Sequence, residues 1–249
     1  MISDAAALGF PVLHGMGGLG FALALLFSFR QKEQPARRAF LAGLFCLCLN
    51  LAVLVTAAQR LPLYGMFESL TTILCITGGT LYFAQKKAVS AEFMLGCGVI
   101  LLLCIFAGIF PLRPNHDFFM YASPWVQGFF FFRLLAAGVI LYTGIRFAAV
   151  FCMARVSAQY QYNGEMKQIS TFLLVGTVLF LCSELAGSIW CLKGWGDSWR
   201  WSENFFQSAV VFFLIMINLH IPARMLRSPE NRGGFGALTS FAVVFLFLW

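Results

Sequence analysis

Residues 182–225, CSELAGSIWCLKGWGDSWRWSENFFQSAVVFFLIMINLHIPARM, set two apolar runs on either side of a polar segment dense in tryptophan. Apolar runs of about 17–25 residues are long enough to cross a hydrocarbon core of ~30 Å, so the stretch reads as two membrane-spanning helices joined by an external element. Trp190, Trp195, Trp199 and Trp201 fall in or beside that element, four of the chain's six tryptophans. An aromatic belt at headgroup level is the plainest reading of such a cluster. Spacing supports another reading. Trp195 and Trp199 lie four apart, Gly196 allows close backbone approach, and Trp201 follows two residues on, as expected of a short element forming a shelf for a flat ligand.

The rest of the chain agrees with a membrane protein. Its 249 residues are 60% hydrophobic and 11% charged, with mean hydropathy +0.83, whereas a soluble domain is about 25% charged. Apolar runs recur at 10–29, 39–58, 69–84, 91–110, 128–150, 169–190 and 205–221, with a short last one at 235–249. They are too long and too uniformly apolar for barrel strands, and a bilayer offers the backbone no partners, so they must be helices. The expected fold is all-α, a polytopic transmembrane helical bundle of about eight spans forming one domain over 1–249, with an external tryptophan-rich segment at 190–205.

The net charge of +7 does not point to nucleic acid. Arg30, Lys32, Arg37, Arg38, Lys86, Lys87, Arg155, Arg224 and Arg227 collect in alternate loops, which is the signal that holds those loops in the cytoplasm. That orientation places the N-terminus, the 61–68 turn, the 111–125 loop and the tryptophan shelf outside. No cleavable signal peptide is expected, because the N-terminus lacks a basic region and a small-residue cleavage site. The eight cysteines lie mostly inside spans and do not form a disulfide framework. The run Gly-Met-Gly-Gly-Leu-Gly at 15–20 has the density of a nucleotide loop, but it sits inside an apolar span, where small residues serve helix packing. Glu184, within the sixth span, is expected to pair with another helix or to line a cavity; Arg133 and Arg200 are the candidate partners.

Two motifs carry a family resemblance. From Ala186, the pattern A-G-x-x-W-x-x-x-x-W-G-x-x-W-x-W, ending in Leu219-His220, resembles the tryptophan-rich "WWD" segment of cytochrome c biogenesis proteins of the CcsA/CcmC type. Upstream, LPLYGMFESL at 61–70 is similar to that family's P-x-x-x-x-Y-E-S-L element, with Phe67 in place of tyrosine. Together they cover roughly residues 38–225. The chain departs from the pattern at Ser202, where the family has aspartate, and at Phe129, where it has an external histidine; no histidine follows His220.

The resemblance implies a membrane haem-handling protein that presents b-type haem, bound or in transit, on the shelf for delivery to apocytochrome c. It implies a part in a haem-attachment (synthase or lyase) system, a second membrane subunit as partner, and residence in the bacterial cytoplasmic (inner) membrane with the shelf on the periplasmic side. Trp190, Trp195, Gly196, Trp199 and Trp201 would then contact haem, and Arg200 suits a propionate as a fork donor; its plainer reading is a solvated rim charge beside Asp197 and Glu203. Histidine being the usual iron ligand, His14, His116 and His220 are the candidates. His220, matching the family's Leu-His, is otherwise a neutral imidazole hydrogen-bonded between helices. His116 is otherwise a solvated loop residue and His14 a headgroup-level one. His14 and His116 fall on the shelf side and His220 on the other, so one haem cannot join His220 to either. The alternative function is that of a non-catalytic membrane subunit sharing this fold, stabilising a respiratory or haem-biosynthetic complex.

Overall fold

A computed structural model of the chain describes residues 4–85, 90–113, 123–156, 163–198, 203–221, 226 and 228–248, without the side chains of 4–8, 163, 203 and 204. Among these residues there are eight helices and no strand: α1 Asp4–Phe29, α2 Glu33–Ala58, α3 Met66–Ala84, α4 Ala91–Ala107, α5 Pro124–Val156, α6 Asn163–Trp195, α7 Glu203–His220 and α8 Pro229–Leu248. Each matches one expected apolar run. Five are long and apolar enough to cross a membrane, lying in α1, α2, α5, α6 and α8; α4 and α7 are apolar and shorter. The helices group into two compact units, Met1–Phe119 and Met120–Trp249.

In the first unit α1 packs on α2 and α4, and α3 packs on α2 and α4. The buried positions of α1 are Phe10, His14, Gly17, Phe21, Ala24 and Ser28, and Gly20 beside them. Those of α2 are Ala36, Phe40, Gly43, Leu47, Asn50 and Leu54. Both series step by four and three, the period of a helix seam. Glycine sets the approach: a Cβ on Gly20 would lie 2.5 Å from the Gly43 Cα, and one on Gly17 2.8 Å from a Leu47 methyl. The glycine run at 15–20 is thus a packing surface, as its place in an apolar span predicts. The turn to α2 is tight, with Gln31 left-handed at φ 57 and Lys32 N–H donating to the Phe27 carbonyl at 2.9 Å.

The 61–70 motif closes the entry to α3. The Glu68 carboxylate, fully buried, takes both terminal nitrogens of Arg60 at 2.9 Å. It also accepts from the Tyr64 and Gly65 amides at 3.2 and 3.4 Å, so the third residue of the helix supplies what its first turn lacks. Ser69 donates its hydroxyl to the Leu63 carbonyl at 3.1 Å. The glutamate and serine of this motif therefore have a structural duty, folding the loop back on its own helix.

In the second unit α5 packs on α6 and α8, and α7 on α8 and α6. Every pairing along this series is antiparallel. Gly187 meets Phe129 and Gly176 meets Ile140 across α5 and α6; Gly236 meets Phe147 and Gly144 meets Ser240 across α5 and α8. Across α7 and α8, Gln207 donates to the Leu246 carbonyl and Asn218 to that of Gly236. The helices α5 and α6 have 33 residues each, about 50 Å long and so longer than a ~30 Å hydrocarbon core. Their ends overrun the expected spans because no breaker stops them: α5 continues through Arg155, which is tied to Glu230 at 2.6 Å.

Candidate functional site

One end of the second unit collects the described part of the tryptophan segment. There α5 begins with Pro124-Trp125, a proline suited to a first helical position, and α6 arrives antiparallel. Trp190 and Trp195 lie with ring centroids 5.2 Å apart and planes at 56°. Lys193 Nζ stands 5.1 Å from the Trp125 ring, close enough for a cation–π contact. Trp195 is 47% exposed.

Two details of the expected shelf change. Trp195 is the last residue of α6, not part of a separate short element, because nothing interrupts the helix before Gly196. That glycine stops it: its φ is +75, its N–H donates to the Leu192 carbonyl at 3.0 Å, and a left-handed glycine is the common way to end a helix. A Cβ placed there would meet nothing within 4 Å. Glycine at 196 therefore serves backbone conformation, and no described residue approaches it closely. Trp199, Arg200, Trp201 and His116 lie outside the described residues. Trp125, which the sequence reading used only as a landmark, belongs to the same end; the Pro-Trp pair at the mouth of an apolar run was the signal.

Deeper in this unit sits a charged group of three. Arg133 Nη1 is 3.6 Å from Glu184 Oε1 and donates to Ser208 Oγ at 3.4 Å, while the Ser208 hydroxyl donates to Glu184 at 3.0 Å. Rings of Phe129 and Phe247 each lie 5.1 Å from the guanidinium. Of the two partners open to Glu184, Arg133 stands against it; Arg200 lies outside the described residues. The group is eight residues along α5 from Trp125, about 12 Å.

His220 ends α7 and is exposed. Its Nδ1 is 3.0 Å from the Met216 carbonyl. A carbonyl can only accept, so Nδ1 carries the hydrogen and Nε2 the lone pair, the arrangement typical of a metal-binding imidazole. Glu184 and Ser208 fix the level of α6 against α7. Trp195 lies eleven residues beyond that level one way and His220 twelve the other, a separation of about 35 Å. The structure does not bring His220 to the tryptophan end.

His14 lies in the first unit, 6% exposed. Its Nε2 is 2.8 Å from the Cys104 carbonyl, and its ring stands edge-on to Phe67 at 5.2 Å. Among the described residues no three His, Cys, Asp or Glu side chains converge as a metal site. What the described residues offer haem is apolar ring surface from Trp190 and Trp195, a cation at Lys193 for a carboxylate, and, at the far end of α7, an exposed imidazole.

The helical fold and its long apolar helices define the class: an integral membrane protein of the helical type. No protein-family model matches the chain, and no curated protein matches it in sequence.

Proposed function

We propose that the protein handles haem in cytochrome c maturation, presenting it at the tryptophan-rich end of α6 for delivery to apocytochrome c together with a second membrane subunit. In this reading the chain resides in the bacterial cytoplasmic membrane with that end outside. The observation that carries it is the pairing of the half-buried Trp190 with the exposed Trp195 at the head of the 186–201 pattern. Haem brings the iron and the vinyl groups on which attachment chemistry occurs; the chain's part is to bind, orient and shield a planar apolar ligand. His220 serves a separate haem position at the other end of its unit.

The test is the haem content of the purified protein. Trp195→Ala is expected to weaken retention about fivefold, an aromatic contact being worth ~1 kcal/mol; retention at wild-type stoichiometry would reduce the cluster to an interfacial belt. His220→Gly is expected to lose part of the haem absorbance and to regain it with added imidazole. An unchanged spectrum would leave His220 as a helix-end residue bonded to Met216.

One observation favours the alternative of a non-catalytic subunit of a respiratory or haem-biosynthetic complex: His14 is buried in the first unit, with its ring packed against Phe67. That reading expects a colourless protein that purifies with its partner complex.

A further inference from the structure

The seam between α1 and α2 contains a polar layer. Gly17 against Leu47 and Gly20 against Gly43 fix an antiparallel register. Three residues back from Gly17 is His14, and three on from Leu47 is Asn50, so the two stand at one level. Both are buried, at 6% and 0% exposure. The layers around them are apolar or glycine.

His14 Nε2 faces the Cys104 carbonyl at 2.8 Å, which has no hydrogen to give, so Nε2 donates and Nδ1 holds a lone pair. Nδ1 of His14 and both Oδ1 and Nδ2 of Asn50 have no hydrogen-bond partner among the described residues. Buried polar groups in native proteins are nearly always satisfied, and three orphans in one layer of a membrane helix pair call for a shared partner. Its chemistry is set by the atoms: it must donate to Nδ1 and Oδ1 and accept from Nδ2. Carboxylates and halides lack the donors, and an ammonium lacks the acceptor. No group of three His, Cys, Asp or Glu side chains converges on the layer among the described residues. Water has both functions and fits a site of a few polar atoms.

We propose that the His14–Asn50 layer is a binding site for internal water, one molecule donating to both His14 Nδ1 and Asn50 Oδ1 and a second accepting from Asn50 Nδ2. The site stands apart from the haem reading. It also gives the seam a unique register, since sliding α1 along α2 by one step would bury the same polar atoms against apolar neighbours.

Hydroxyl-radical footprinting of the full chain in detergent tests this, because radicals formed from a bound water oxidise the side chains beside it. His14 and Phe67 are expected to be oxidised despite burial, with oxygen-18 entering from labelled water more slowly than at exposed residues. Asn50→Leu should abolish the labelling at both. If that variant does not fold, the pair His14→Leu with Asn50→Leu, which removes all three orphan atoms, should fold and leave Phe67 unlabelled. Unlabelled His14 in the wild type, or labelling unchanged in the variants, would overturn the site. So would a change in haem absorbance in His14→Leu, which would put iron at Nδ1 in place of water.

Discussion

Glu68→Ala is expected to destabilise the protein by roughly 3–5 kcal/mol, the cost of leaving one member of a buried ion pair without the other. The carboxylate removed is fully buried and takes both Arg60 nitrogens at 2.9 Å, with two backbone amides besides. Arg60 cannot shed its proton, so its charge stays in a place where its side chain is only 10% exposed. Glu68→Gln keeps one acceptor oxygen for the amides but turns an NH2 towards the guanidinium, and should fall between wild type and alanine. Arg60→Lys should also destabilise, because a single ammonium cannot make the two parallel bonds. Denaturant unfolding of the purified protein in detergent measures all three. A Glu68→Ala midpoint equal to that of wild type would mean the loop is held by Ser69 and apolar contacts alone.

The same residues show what a sequence can and cannot disclose. Eight helices were legible because hydropathy reports burial in lipid, and each apolar run had its helix. Their grouping into two four-helix units was not, since an apolar run carries no record of its neighbour; the pairing rests on where glycine faces backbone, as at Gly20 and Gly43 or Gly233 and Phe151. Glu68 was visible only as part of a motif. Its bond to Arg60 spans eight positions, across the irregular 61–65 turn and into α3, beyond the reach of any helix period. For the candidate site, tryptophan spacing drew attention to one end of α6, but the left-handed backbone at Gly196 was not legible, because a glycine needed for left-handed backbone and one needed for close approach look alike in sequence. Its place near the span's end left His14 either an iron-ligand candidate or a headgroup-level residue. Its burial follows from Phe67 of α3 and the Cys104 carbonyl of α4 closing on its ring, which depends on helices distant in sequence.

Glu184 is the case where membrane cost predicted a partner and left its identity open, and the expected energetics follow from the geometry. Glu184→Ala should destabilise by about 3 kcal/mol, the low end for a broken buried pair, because the 3.6 Å contact is looser than a bidentate one and the glutamate is 21% exposed. Arg133→Ala should cost less. An orphaned carboxyl can take up a proton and remain hydrogen-bonded to Ser208, whereas an orphaned guanidinium between Phe129 and Phe247 cannot be neutralised. The double variant should be more stable than the two single losses summed, with a coupling of about 1–3 kcal/mol, since neither charge is left behind. Unfolding of the four proteins in one detergent gives the cycle directly. Additive losses would show that Arg133 and Glu184 do not sense each other, and that Glu184 is held by Ser208 alone. Coupling with the stated asymmetry would make the group a polar clamp of α5, α6 and α7 about 12 Å below the tryptophan end, keeping Trp125 on α5 and Trp190 on α6 in fixed relation.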